Sequence, residues 1–134
     1  MFKISPIQSK ETQIKYASEC GTQYKEGYFA YSMKDAETDE LMGFSQFEIN
    51  GYCGHIEDLL PKKGVNDIEA MFILGRATMN FIDLCGAHTC TARKNASSIQ
   101  LLHAIGFKAE LNDLLYCDMT GMFDGNCDGE VNKI

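Results

Sequence analysis

The stretch from Asp67 to Cys85 does most to limit the architectures open to this chain. Ile68, Met71, Phe72, Gly75, Met79 and Ile82 recur at helical spacing, and Ala70, Leu74, Ala77 and Phe81 widen the apolar stripe. Glu69, Arg76, Asn80 and Asp83 are left for a wet face, and Gly86 stands just past the end. An apolar face of this breadth predicts a helix laid across a sheet.

The strands of that sheet are legible on both sides of the helix. Asn50-Gly51 is the strongest hairpin signal, because both residues tolerate positive φ in a tight turn. It joins the runs Leu41 to Ile49 and Tyr52 to Leu60, the second stopped by Pro61. Upstream, Phe2 to Ile4 reads as a strand, Lys10 to Cys20 as a helix closed by Gly21, and Tyr28 to Met33 as a second strand. Downstream, Ala87 to Ala92 reads as a strand leading to a helix capped by Asn95, with Ile99, Leu101, Leu102 and Ile105 on one face. Gly106 ends that helix, and Phe107 to Glu110 and Leu114 to Met119 form a last hairpin. The order β-α-β-β-β-α-β-α-β-β predicts an α/β (α+β) fold, a mixed sheet with helices on its faces.

A chain of 134 residues is expected to make one domain. It contains no apolar run of membrane-spanning length, and its N-terminus lacks the basic-then-apolar pattern of a secretory signal. The expectation is a cytoplasmic protein with no membrane partner. The six cysteines are scattered through strands and helix ends, where they read as reduced structural thiols. A formal charge of -7 argues against nucleic acid, whose phosphates need a basic surface, and is compatible with a cationic amine.

A strand, then Asn95, a short helix and Gly106-Phe107 resembles the last third of the GNAT superfamily of N-acetyltransferases. The resemblance implies a mostly antiparallel mixed sheet with helices on both faces over residues 1–119, followed by an acidic, Gly-rich tail at 120–134. It implies acyl transfer from acetyl-coenzyme A, or another acyl-coenzyme A, by direct attack of a small-molecule or peptide amine in a ternary complex. Backbone N–H groups of Leu59 and Leu60 would polarise the thioester, and Asn95 would contact the cofactor arm. Where the family has a glycine-rich pyrophosphate loop, counting on from Pro61 gives Gly64, Asp67 and Glu69. Two carboxylates there would repel a pyrophosphate by on the order of a few kcal/mol. Lys62, Lys63, Gly64, Val65 and Asn66 would then supply a substitute cradle.

For acid-base work the resemblance points to the strand before that loop. His55 and Glu57 lie two apart, so they should share one sheet face with Cys53 and Leu59. Either would take the proton an ammonium must lose before attack. Family members often carry a tyrosine seven residues after the asparagine as proton donor. Here that position is Leu102, next to His103, and Tyr116 is the replacement. The short Ser5 to Gly27 segment implies an open acceptor cleft, or one completed by a second copy in a homodimer. A competing reading is a non-catalytic binding module that keeps the fold without the cofactor loop. A weaker one is calcium binding through the EF-hand-like spacing of Asp124, Asn126, Asp128, Gly129 and Asn132, against a flexible acidic tail with no metal.

Overall fold

The structure, a computed structural model, describes residues 1–124. Its element order is the one expected: β1 (Phe2–Pro6), α1 (Lys10–Glu19), β2 (Phe29–Asp35), β3 (Leu41–Asn50), β4 (Cys53–Pro61), α2 (Ile68–Leu84), β5 (Thr89–Arg93), α3 (Ile99–Ile105), β6 (Ala109–Leu111) and β7 (Leu114–Asp118). The seven strands form one sheet in the order β1-β2-β3-β4-β5-β7-β6. Only β4 and β5 run parallel, joined through α2 as a parallel crossover requires. The calcium reading falls on residues 125–132, outside those described, apart from Asp124. No helix among the described residues is long and apolar enough to cross a membrane.

α2 lies across one face of the sheet, as its stripe demanded. Leu74, Met79 and Ile82 are fully buried against Phe47, Ile56 and Leu59, and α3 adds Leu102 and Ile105 to the same core. Contact is close enough that a Cβ on Gly54 would stand 2.4 Å from Ile82 Cγ2, so β4 and α2 meet where a side chain is missing. On the opposite face α1 covers β3, where Ala17 and Cys20 pack on Ala30 and Phe44. That leaves β4, β5 and β7 with no described helix over them on this face. The five described cysteines are free thiols, and burial raises the Cys20 thiol to about 12.

Two local expectations need correction. The hairpin turn is Gly51-Tyr52, one residue later than expected: Asn50 still pairs with Cys53, and Gly51 takes φ +61° at the first central position, as a two-residue type II′ turn requires. Tyr52 is therefore the exposed tip and not a strand residue. Asn95 does not cap α3. Ser98 does, its Oγ accepting from the Leu101 N–H at 3.2 Å. The cause lies in β4, whose Leu59 N–H donates to the Ala96 carbonyl at 2.8 Å and pins residues 94–97 as a turn before the helix can begin.

Candidate active site

β4 carries a bulge at its centre. Gln46 pairs with Asp58 while Phe47 pairs with Ile56, so Glu57 is the extra residue. Before the bulge the strand alternates as expected, Gly54 and Ile56 inward on α2 and His55 on the open face. After it the alternation slips. Leu59 turns into the α2 core with Ile56, which corrects its expected place beside His55 and Glu57, and Asp58 joins the polar face instead. The bulge thus puts three polar groups, His55, Glu57 and Asp58, on one side.

Register across the sheet extends that side into a row. Glu48 faces His55, His55 faces Thr91 of β5, and Thr91 faces Tyr116 of β7. Tyr116 therefore shares the open face with the two expected base residues, two strand spacings or about 10 Å from His55. His55 Nδ1 lies 2.8 Å from Thr91 Oγ1, and its Nε2 lies 2.9 Å from Glu57 Oε1. Because a carboxylate only accepts, Nε2 carries the hydrogen, and in the neutral ring Nδ1 accepts from the Thr91 hydroxyl. At the end of the row the Tyr28 hydroxyl donates to Glu48 at 2.9 Å, and burial beside that carboxylate raises it to about 12.

Beneath the row lies an ion cluster that the sequence did not disclose. Asp58 is fully buried, and its carboxylate accepts from Thr22 Oγ1 at 3.1 Å, Lys25 Nζ at 3.3 Å, Gln46 Nε2 at 2.9 Å and Arg93 Nη2 at 3.2 Å. Such a charge persists in an interior only when paired and hydrogen-bonded. Glu57 Oε2 sits 3.3 Å from the same ammonium and 3.2 Å from Arg93 Nε. Burial pushes the Glu57 carboxyl up, but the His55 hydrogen bond and the two cations outweigh it and hold it below the ordinary carboxylate range. Glu57 therefore stands ionised beside His55, and it suits stabilising an imidazolium better than taking a proton itself.

The expected cofactor residues are less united. A cavity of about 220 Å³ opens between the β4–α2 loop and the start of α3, lined by Leu60, Pro61, Val65, Asn66, Met71, Ser97 and their neighbours. Leu60, Val65 and Asn66 thus line it, whereas Lys62, Lys63, Gly64 and Asn95 do not. Lys62 Nζ reaches 4.0 Å from Glu19, and the Lys63 stem runs past Gly21, so both point to the end of α1. The backbone N–H groups of Lys62, Lys63 and Val65 are engaged by the carbonyls of Met42, Glu19 and Lys62. Asp67 caps α2, accepting from the Ala70 N–H at 3.0 Å. Of the two donors expected to polarise a thioester, the Leu59 N–H is closed on Ala96 and Leu60 is paired with Phe44 in the sheet. Ser97, Ser98, Ile68 and Leu101 were missed as lining residues; the weak signal for them was the Ser97-Ser98 pair before an apolar run.

No protein-family profile matches the chain, and no curated protein matches it in sequence. Solved structures match it closely in fold. The ribosomal-protein-S18-alanine N-acetyltransferase of Escherichia coli superposes with a TM-score of 0.65 at 9% identity, over 89% of this chain and 94% of that one. A Bacillus subtilis acetyltransferase in complex with coenzyme A gives 0.64 at 13%, over 88% and 99%. The PaiA N-acetyltransferase of Thermoplasma acidophilum, also with coenzyme A, gives 0.60 at 15%, over 85% and 96%. The fold is that of the GNAT N-acetyltransferases. Coenzyme A would meet mostly neutral walls in the cavity, while at the loop Lys62 and Lys63 point to the end of α1 and the Asp67 carboxylate stands at the start of α2.

Proposed function

We propose that this protein is an N-acyltransferase that moves an acetyl or other acyl group from a coenzyme A thioester to an amine. The observation that supports it most is the Thr91–His55–Glu57 hydrogen-bonded chain on the open face of β4 and β5, in a fold whose solved relatives include acetyltransferases bound to coenzyme A. His55 is the base. The amine proton passes to Nδ1 through the Thr91 hydroxyl, which then donates to the Gly54 carbonyl 3.4 Å away, and the ionised Glu57 stabilises the imidazolium. The freed amine nitrogen attacks the thioester carbonyl carbon, the C–S bond breaks, the leaving thiolate takes a proton from the Tyr116 hydroxyl, and the second proton shed by the acylated nitrogen passes through solvent to restore the phenol. The face of β4, β5 and β7, which no described helix covers, would receive a small-molecule or peptide amine beside the loop after α1.

The test is thiol release from acetyl-coenzyme A across a panel of small amines and peptides, beside a thermal-shift titration with acetyl-coenzyme A alone. Amine-dependent release is the expected result; neither release nor stabilisation ends the reading. A second reading, a binding module without catalysis, is favoured by one observation: the Leu59 N–H is already closed on the Ala96 carbonyl. It expects an amine or peptide to stabilise the fold while acetyl-coenzyme A does not.

A further inference from the structure

Resting on the acyltransferase reading, we propose that the donor is recognised through its neutral acylated pantetheine arm and not through its pyrophosphate and nucleotide. Three features of the cavity beside the β4–α2 loop converge on this. It is small: about 220 Å³, below the roughly 300–1,000 Å³ of sites that enclose drug-sized ligands. Such a space holds one part of the donor and not the whole molecule. Its walls are Leu60, Pro61, Val65, Ile68, Met71 and Leu101, with Asn66, Ser97 and Ser98 as the neutral polar groups that amides of an arm would meet. Its one charged residue is Asp67.

The surroundings turn two ammonium groups away from a pyrophosphate and set two carboxylates near it. Lys62 and Lys63 turn toward the end of α1, and the N–H groups of Lys62, Lys63 and Val65 bond to carbonyls. The start of α2, which would otherwise attract an anion, is met by the Asp67 carboxylate and followed by Glu69 in its first turn. An acylated pantetheine arm has neither demand. The same arm is carried by coenzyme A and by carrier proteins, and both present it to the cavity in the same chemical form.

Calorimetric titration of the full chain with acetyl-coenzyme A, acetyl-pantetheine and adenosine 3′,5′-bisphosphate decides the matter. Expected are dissociation constants for the first two within tenfold of each other and no binding of the third. Ser97→Trp, which fills the cavity mouth, is expected to abolish both affinities. Glu69→Gln removes a first-turn charge outside the cavity lining, and should tighten acetyl-coenzyme A several-fold while leaving acetyl-pantetheine unchanged. An acetylated carrier protein in place of coenzyme A separates the sources, and binding of either at the Ser97-sensitive site supports recognition by the arm. Preference for acetyl-coenzyme A over acetyl-pantetheine by more than tenfold, or binding of the bisphosphate, overturns the proposal and leaves the acyltransferase reading standing. If none of the three binds, that reading falls, and this proposal with it.

Discussion

The two sides of β4 are built on opposite principles. Toward α2 the strand presents Gly54, Ile56 and Leu59, all buried, and its contacts are apolar and close. Toward the open face it presents His55, Glu57 and Asp58, which reach residues on α1's following loop, β3 and β5 through hydrogen bonds and ion pairs. One side gains from excluding water and tolerates many apolar sequences of similar volume. The other stands only if every partner is present. Function is expected on the side with the stricter demand, because only there do titratable groups sit close enough to set each other's charge.

The largest expected effect is on the polar side. Asp58→Ala should cost about 3 kcal/mol, since it leaves the buried Gln46 amide and the Thr22 hydroxyl without an acceptor and takes one of two carboxylates from Lys25 and Arg93. Urea unfolding at neutral pH measures it, and a loss under about 1 kcal/mol would mean the cluster is open to water. His55→Ala should lower the acyl-transfer rate by on the order of a hundredfold or more while leaving thioester binding unchanged. Rates equal to those of the parent protein would remove the open face from the mechanism.

On the apolar side, Gly54→Ala should cost roughly 1–3 kcal/mol, because the new Cβ meets Ile82, which is fully buried and has nowhere to move. Stability gained instead would show that α2 can lift off β4. The smallest effect is in acid. Glu57 titrates below its ordinary 4.5 in the folded protein, so its contribution is complete above that pH and is lost as pH falls through the lower folded value. Glu57→Gln should therefore flatten the decline in urea midpoint below pH 4.5 and leave the profile above it parallel to that of the parent.

The same contrast explains what could be read from the sequence. Apolar periodicity is local, so the helix on the sheet, the element order and the buried faces of Ile56, Leu74 and Ile82 were legible. The bulge was not, because period-2 alternation carries no mark of an extra residue, and that is why Leu59 was placed on the wrong face. The ion cluster was out of reach for another reason. Asp58 meets Thr22, Lys25 and Arg93 across 36, 33 and 35 residues of chain, and nothing near any of them announces the others. Of the expected site, His55, Glu57 and Tyr116 share one face, and Leu60, Val65 and Asn66 line one cavity. Asn95 lies apart because the turn that holds it answers to Leu59.

The reach of the Asp58 cluster also bears on how the chain arrives at its fold. Its donors come from the loop after α1, from β3 and from β5, so the carboxylate has no reason to leave water until all three segments have met. A half-assembled sheet that docked β4 early would bury a bare charge and be driven apart. The cluster thus acts as a late checkpoint on assembly, penalising partial structures that the apolar face alone would accept. Asp58→Asn is expected to hasten unfolding while leaving the folding rate nearly unchanged, a φ-value close to zero, and a value near one would place the cluster in the nucleus instead.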